Sequence, residues 1–492
     1  MNNAALLPIA PEVILLAGAL IVILLLVLLE RPYREGGIVA LAALAAAAIA
    51  SVLQWQALED GADNLYFSAQ GVPVPRLPMV VMDHYSAFAG VVIFIVAMLG
   101  LAVAWRLVLT LGARGAEFLT LVLLAVAGLH MMTASANMIM LFIGLETASI
   151  ALYVLAGFTR ERANADEAAV KYFLLGSLAS VIFVYGAALL FAATGSTAFY
   201  GAGSMRQFLA ENIVAEPAIL LLAMGLVIVG MSFKVTAAPF HQWAPDVYQG
   251  APSGIVGLMA AGVKIAGFAA LGRILFSALP SQIDDWAPAL AIIAGVSMII
   301  GTVLAAVQDD VKRILAYSGV AHAGYILMAF LAGSDGIGSM WFYVTTYALT
   351  VIAVFAVVAV VSGSRSGSSP LADWSGLSSR APVLAWAMLI MLLALAGIPF
   401  TTGFVAKIGV FTAATDAGYL WLMILALMTT IVGLYVYFRL AAVMFLEDPA
   451  GVEDVVVPPT TALVLTVAAV TTVLLGLLPW PLLDLAREAL PL

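Results

Sequence analysis

Apolar runs of about twenty residues recur along this chain from one end to the other, and fourteen of them can be drawn. Nothing else in the sequence restricts the fold so strongly. A hydrocarbon layer offers no water to the backbone, so a run of this length satisfies its own N–H and C=O groups only as a helix. The composition agrees: 64% of residues are hydrophobic and 10% charged, with a mean hydropathy of +1.13, against about 25% charged in soluble domains. The expected fold is therefore an all-α polytopic membrane protein with about fourteen spans. We draw them at roughly 8–30, 37–57, 79–105, 115–133, 136–158, 168–193, 218–248, 253–279, 285–307, 311–332, 338–362, 382–415, 417–445 and 459–483. No soluble domain fits between them. The first run has no positive charge before it and is too long for a signal-peptide core, so it is read as a retained helix.

The formal net charge of −9 says less than the positions of the nineteen basic residues, because lysine and arginine near helix ends orient a membrane protein. Twelve fall on one set of connections: Arg31, Arg34, Arg106, Arg114, Arg160, Arg162, Lys171, Lys312, Arg313, Arg365, Arg380 and Arg439. Four fall on the other: Arg76, Arg206, Arg273 and Arg487. This asymmetry predicts the first set in the cytoplasm and both termini on the outer side. The acidic, Pro/Gly-rich segment 58–78 then lies outside and the Gly/Ser-rich segment 362–369 inside. Trp105, Trp286, Trp374 and Trp480 suit interfacial belts.

Three basic residues remain, Lys234, Lys264 and Lys407, each deep within a span, together with one acid, Glu146. An ionised side chain at mid-membrane costs roughly 2.5 to 3.5 kcal/mol, so four unpaired ones cost roughly 10 to 14 kcal/mol. Pairing, neutralisation or local water must offset that cost. Structural ion pairs between helices are the plain alternative. Two of the lysines also lie beside a helix-breaking proline: Lys234 precedes Pro239, and Lys407 follows Pro399. Proline removes a helical hydrogen bond, and interrupted helices in matching positions of two halves point to an internal repeat around a transport site. Simple kinks are the alternative. The repeat reading divides the chain into 1–114 (helices 1–3), 115–279 (helices 4–8), 280–446 (helices 9–13) and 447–492 (helix 14). Five helices per unit is an odd number, so the second unit is inverted and helices 7 and 12 are discontinuous. Its nearest counterpart to Glu146 is His322, and to Lys234 is Lys407.

Burial penalises the charged form of an ionisable group, so groups firmly charged in water exchange protons near neutrality inside a membrane. A Glu146–Lys234 pair that closes and opens is thus a proton switch. Glu146, Lys234, Lys264 and Lys407 form a candidate relay with water between members, and His322, an imidazole that titrates near neutrality in water, is a possible bridge. His241, Asp246 and Tyr248 read as the inner cap of helix 7. Asp309, Asp310, Lys312 and Arg313 read as a solvated helix start with acids at its N-terminus. Arg160, Glu161, Arg162, Asp166, Glu167 and Lys171 read as a charged cytoplasmic loop. The chain has no cysteine, hence no thiolate ligand for an iron–sulfur cluster or zinc, and its four histidines are too scattered for a metal site. Gly201-Ala202-Gly203 and Gly336-Ile337-Gly338 complete no phosphate-cradling motif. Nucleotide or redox chemistry is therefore expected on another chain, with no cofactor or metal here.

Several segments in order carry a resemblance: Glu146-Thr-Ala-Ser-Ile-Ala-Leu-Tyr153, Lys171-Tyr-Phe-Leu-Leu-Gly-Ser177, Pro239-Phe-His-Gln-Trp-Ala-Pro-Asp-Val-Tyr-Gln-Gly-Ala-Pro252, Lys312-Arg-Ile-Leu-Ala-Tyr-Ser-Gly-Val-Ala-His-Ala-Gly-Tyr325, and Leu395-Ala-Gly-Ile-Pro399 with Gly403 and Lys407. They resemble the antiporter-like membrane subunits of respiratory complex I, and the Asp-Val-Tyr-Gln-Gly-Ala-Pro run resembles the subunit N (subunit 2) branch. The likeness is strong over helices 4–13 and weaker over the first three and the last. It implies a fourteen-helix fold with two inverted five-helix repeats and a non-redox, proton-translocating role in NADH:quinone oxidoreductase. It also implies that Glu146, Lys234, Lys264 and Lys407 match the family's buried charges. NADH, FMN, iron–sulfur clusters and quinone would belong to other subunits, and the partners would be the other membrane-arm subunits in a bacterial inner membrane. The alternative is a subunit of a multisubunit cation/proton antiporter. One departure is Ile398-Pro399-Phe400, where the family often has a second proline.

Overall fold

A computed structural model of the protein describes residues 6–29, 33–62, 66–67, 78–159, 163–214, 216–363, 367–449 and 456–491. Arg31, Arg76, Arg160, Glu161, Arg162 and Arg365 lie outside the described residues, as do parts of segments 58–78 and 362–369. Along the chain run α1 (Ala10–Leu28), α2 (Tyr33–Glu59), a small hairpin of β1 (Tyr66–Phe67) and β2 (Val80–Val81), α3 (His84–Leu111), α4 (Arg114–Thr133), α5 (Met138–Ala156), α6 (Ala163–Thr194) and the short α7 (Met205–Glu211). Next come α8 (Pro217–Lys234), α9 (Trp243–Gly250), α10 (Ser253–Leu258), α11 (Lys264–Gly272), α12 (Ile283–Ala306), α13 (Val311–Phe330) and α14 (Ile337–Val361). The chain ends with α15 (Leu377–Arg380), α16 (Pro382–Ala396), α17 (Thr402–Asp416), α18 (Leu420–Leu446), α19 (Pro459–Leu477) and α20 (Trp480–Glu488). The two strands pair antiparallel, Tyr66 opposite Val81 and Phe67 opposite Val80.

Among the described residues, twelve helices are long and apolar enough to cross a membrane. Two further spans complete the expected set. One is α13, twenty residues long and buried on nearly all sides. The other is α16 with α17, which the sequence reading drew as one helix over 382–415 and which in fact stops at Ala396 and restarts at Thr402. The span drawn at 218–248 likewise stops at Lys234 and restarts at Trp243. The last span ends at Leu477, and 480–488 form a separate amphipathic turn of helix.

Close approaches between helices depend on small residues, which membrane interfaces favour because packing replaces the hydrophobic drive between helices in lipid. A Cβ on Gly128 of α4 would lie 2.5 Å from the backbone N of Ala148 and 2.7 Å from Gly144 O on α5. Gly301 of α12 plays the same part against Tyr317 O and the backbone of Ala321 on α13. The span Ser253–Ala278 runs through the middle of the molecule, buried throughout. It is not a uniform α-helix, because π-helical turns at Met259–Val263 and Arg273–Ala278 flank α11 and leave Lys264 at the first junction. Such turns tend to mark functional sites.

Two expectations about the periphery are corrected by burial. Trp286 and Trp374 are inside the protein: their indole N–H groups donate to Leu279 O and Ser369 Oγ, so they anchor loops rather than sit at a lipid interface. Trp480 is exposed and suits a belt. Asp310 and Lys312 are buried too. Asp310 caps α13 through the Arg313 N–H and holds the Ser369 N–H, while Lys312 donates to Gln249 O and Ala251 O. The start of α13 is therefore a packed joint to α9 at Asp310 and Lys312, with Asp310 as its capping acid and Asp309 exposed as expected.

Candidate functional site

The end of α8 leaves its last carbonyls without helical partners, as every helix C-terminus does. Here the protein supplies them. Ser232 O accepts from the Ala237 N–H at 2.8 Å, Phe233 O from the Trp243 indole at 3.1 Å, and Val235 O from Lys264 Nζ at 2.8 Å. Lys264 is 1% exposed and, among the described residues, has no carboxylate within salt-bridge distance. Its three N–H bonds are all used, on Val235 O, on Thr236 Oγ1 at 2.5 Å and on Gly319 O of α13 at 2.8 Å. An ammonium can be held this way because a helix C-terminus carries partial negative charge. The second break repeats the device. Gly397, in the left-handed region, ends α16, and Lys407 of α17 donates to Ala396 O at 3.0 Å and to Thr430 Oγ1 at 3.3 Å.

Each break also holds one non-glycine residue with positive φ, Thr236 at 60° and Phe400 at 70°, and among the described residues these two are the set. Such conformations cost about 1–3 kcal/mol and persist where surrounding structure enforces them. Pro239 and Pro399 both fall inside the non-helical stretches, as their chemistry predicts. Phe400 follows Pro399 where the family often has a second proline, and the break forms all the same. A side chain at Gly403 would overlap Ala394 O across this break. Gly403→Ala is therefore expected to distort the loop and lower the yield of folded protein severalfold, checked by monodispersity after extraction; an unchanged yield and melting temperature would contradict it.

Lys234, the last residue of α8, donates to Ser149 Oγ on α5 at 2.5 Å. Ser149 donates its own hydrogen bond to Leu145 O, so its oxygen is free to accept. Glu146 lies one turn away and is half-buried rather than enclosed, accepting a hydrogen bond from Ser180 Oγ on α6. Among the described residues Glu146 and Lys234 form no ion pair. The pair expected from the sequence is not formed in this structure, and each of the two side chains bonds a serine instead. Neither Ser149 nor Ser180 was singled out from the sequence, since an isolated serine in an apolar run carries no distinguishing pattern.

His322 lies beyond Lys264 along the same line. One ring nitrogen meets Tyr343 OH at 2.8 Å and the other Tyr437 OH at 3.1 Å, and Tyr437 OH also meets Ser318 Oγ at 2.6 Å. Toward α17, Tyr325 OH shares a bond with Thr429 at 3.0 Å and accepts from Thr430, the partner of Lys407, at 3.3 Å. A small cavity lined by His322, Tyr325, Lys407, Ser318 and Tyr437 joins these groups. Aromatic faces flank every ammonium: Lys234 over Tyr153 at 5.9 Å, Lys264 over Tyr347 at 5.8 Å and Lys407 over Tyr325 at 4.9 Å. Tyr153 and Tyr325 end two of the segments that carry the family resemblance, whereas Tyr343, Tyr347 and Tyr437 carry no such signal in the sequence.

The inner end of helix 7 is anchored as well as capped. Asp246 accepts from Lys171 at 2.6 Å and from Arg313 at 2.7 Å, tying α9 to α6 and to α13. Arg273 is corrected outright. Counted as an outer connection charge, it is wholly buried (0% exposed) and held bidentately by Asp83 at 2.5 and 2.9 Å, with further bonds to Tyr200 OH and Thr133 O. Asp83 (2% exposed) and Glu12 (5% exposed) are buried acids that hydropathy alone did not reveal.

A family model described as NADH:quinone oxidoreductase/Mrp antiporter, TM, matches residues 135–433. Similar proteins include NADH-quinone oxidoreductase subunit N 1 of Solibacter usitatus, 37% identical over 97% of this chain and 96% of its own length. NADH-quinone oxidoreductase subunit N of Mycobacterium tuberculosis is 41% identical over 77% of this chain and 72% of its own. A chain of respiratory complex I from Thermus thermophilus with bound aureothin superposes with a TM-score of 0.81 at 33% identity, covering 97% of this chain and 99% of that one. A chain of the Mrp complex from Dietzia shares the fold at 22% identity, with a TM-score of 0.85 over 99% of this chain and 97% of that one. With 37% identity to one such subunit over 97% of its length and a family model matched over residues 135–433, the chain belongs to the subunit N family of NADH-quinone oxidoreductases, within the wider NADH:quinone oxidoreductase/Mrp antiporter membrane family.

Proposed function

We propose that this chain is a proton-translocating, non-redox membrane-arm subunit of an NADH:quinone oxidoreductase, moving protons along Glu146, Lys234, Lys264, His322 and Lys407 while quinone reduction proceeds on other subunits. The observation that carries the reading is the placement of three enclosed ammonium groups at two helix breaks, each held by neutral oxygens that exchange partners easily. A permanent ion pair would hold its charge fixed. Among the described residues these lysines have no carboxylate within bonding distance, so a change in local geometry is enough to change how well each holds its proton. Lys234 moving from Ser149 to Glu146, one turn away, closes a pair that favours the charged lysine. Its return to Ser149 releases that preference. NADH, FMN, iron–sulfur clusters and quinone belong to partner subunits in this reading, and the chain resides in a bacterial inner membrane with both termini outside.

The inverted repeat gains support from packing register. One and the same sequence separation relates Gly128 to Gly301, Ala148 to Ala321 and Lys234 to Lys407, and Gly128 and Gly301 meet their neighbouring helices in the same way. By that separation His322 stands opposite Ser149, the lysine-binding serine, one helical turn from the Glu146 position first matched to it, and Gly319, whose carbonyl holds Lys264, stands opposite Glu146. One member of each pair holds a buried lysine, Ser149 taking Lys234 and Gly319 taking Lys264.

The test is Glu146→Gln in the assembled complex in sealed vesicles. It keeps the bond from Ser180 and removes the charge that closes the Lys234 switch. Proton translocation and coupled quinone reduction are expected to fall together, roughly tenfold or more given the 10²–10⁴ contributed by a positioned acid–base group. Normal assembly with unchanged proton-to-electron ratio and rate would overturn the proposal. Relatives more than a third identical carry the oxidoreductase subunit N name, whereas the Mrp complex chain stands at 22%, which favours this reading over a cation/proton antiporter component.

A further inference from the structure

One buried hydroxyl beside His322 has no part in the relay of five groups. Tyr437 of α18 meets Ser318 Oγ and His322 Nε2, both on α13, at 2.6 and 3.1 Å. Ser318 in turn precedes Gly319, whose carbonyl holds Lys264. The sequence separation that relates Lys234 to Lys407 also relates Lys264 to Tyr437. In that register a phenol stands where the first unit has its central lysine. Among the described residues no hydrogen bond links Tyr437 or His322 to Lys407. Between them lies the cavity bordered by Ser318, His322, Lys407 and Tyr437, which leaves about 10 Å³ for the centre of a water molecule, room for one. Lys407 Nζ makes two bonds, to Ala396 O and Thr430 Oγ1, and its third position remains for the cavity. Gly433 also lines this space. A Cβ there would lie 3.7 Å from Thr302 Cγ2 and 3.8 Å from Tyr437 Cε2, in ordinary contact with two walls of the cavity.

We propose that Tyr437 is a proton station, the second unit's counterpart of Lys264, and that it hands protons from His322 to Lys407 through one water held in this cavity. The inference rests on the proton-translocating reading above. A buried water typically makes about three hydrogen bonds, and Tyr437 OH, Ser318 Oγ and Lys407 Nζ supply three partners. A neutral imidazole has one N–H and one acceptor nitrogen, and a phenol both donates and accepts. With the imidazole proton on Nε2, that N–H donates to the Tyr437 oxygen. A proton delivered to Nδ1 releases the Nε2 proton to this oxygen, the hydroxyl proton of Tyr437 passes to the water, and one water proton passes to the neutral Lys407 amine. His322 is left neutral in its other tautomer, phenol and water are restored, and Lys407 is an ammonium. One proton enters and one is held. No phenolate forms, so a tyrosine serves here without the cost of a further ionised group at mid-membrane.

The test uses the assembled complex. In a map that reveals ordered waters, one peak is expected within hydrogen-bonding reach of both Tyr437 OH and Lys407 Nζ, and its absence while other buried waters are resolved overturns the water-linked station. Tyr437→Phe keeps the ring and removes the hydroxyl. In sealed vesicles it is expected to lower proton translocation and coupled quinone reduction roughly tenfold or more and to raise the solvent deuterium isotope effect on turnover, because transfer to Lys407 becomes the slow step. A phenol that only packs would leave the isotope effect at its native value, and that result overturns the proposal whatever the rate. Gly433→Ala, which keeps every polar group and fills the room for the water, serves if Tyr437→Phe fails to assemble. It should lose the peak and slow translocation in the same way, and native rates without the peak overturn the water link. The two readings fail separately: unchanged pumping in Glu146→Gln removes the relay as a whole, whereas impaired Glu146→Gln beside native Tyr437→Phe removes this station alone.

Discussion

Lys234→Arg in the assembled complex is expected to leave the protein folded and the complex intact, yet to cut proton translocation and coupled quinone reduction by roughly a hundredfold, the lower end of what a positioned acid–base group contributes. The argument turns on the difference between carrying a charge and exchanging a proton. Arginine keeps the positive charge beside Ser149 and Glu146, so any purely structural task of Lys234 survives the change. It cannot release its proton under any condition a membrane protein meets. Lys234→Ala removes both properties and serves as the companion. If the pair with Glu146 were only structural, arginine would behave like the native residue and alanine alone would be damaging. If Lys234 is a proton station, both variants lose translocation and only alanine disturbs the local fold. Proton uptake into sealed vesicles, set against NADH oxidation with an uncoupler present, separates the two. Arginine at native rates would refute the role given to Lys234.

The parts of this site legible in the sequence were those whose residue types are expensive in a membrane. A lysine or a proline within an apolar run stands out against its surroundings, and Lys234, Lys264, Lys407, Pro239 and Pro399 could all be placed on that ground. The groups that receive those lysines could not. Val235 O, Gly319 O and Ala396 O are backbone atoms, Val235 O and Ala396 O available because two helices stop where they do and Gly319 O from within α13, and Ser149, Thr236 and Thr430 are short polar residues that apolar runs carry at little cost. Tyr343, Tyr437 and Tyr325 counted as hydrophobic in every window, although their hydroxyls make the contacts around His322. Buried acids escaped for another reason. Glu12 and Asp83 stand close to helix ends, where hydropathy expects charge, and only packing of α1 on α4 and of α3 on the span Ser253–Ala278 encloses them.

Arg273 is where that limit has its largest energetic consequence. Its guanidinium uses both Nη groups and Nε, on Asp83, Thr133 O and Tyr200 OH, and lies 4.8 Å from the face of the Tyr85 ring. Desolvating such a pair is costly, so its net worth against an apolar replacement is small, but removing one partner strands the other's charge. Arg273→Met is therefore expected to destabilise the protein by about 3–5 kcal/mol, seen as a marked drop in the temperature at which the extracted complex loses this chain. Asp83→Asn added to Arg273→Met removes the stranded carboxylate while keeping a residue able to cap α3, since asparagine serves at that position as well as aspartate. The double variant is expected to regain about half of the loss or more, and that non-additivity distinguishes a stranded charge from a simple packing defect. Double and single variants melting together would mean that Arg273 acts through its bonds to Thr133 and Tyr200 instead. In either case proton translocation per complex that remains assembled should stay near native, because this pair ties α3 to the central span without touching the lysine line.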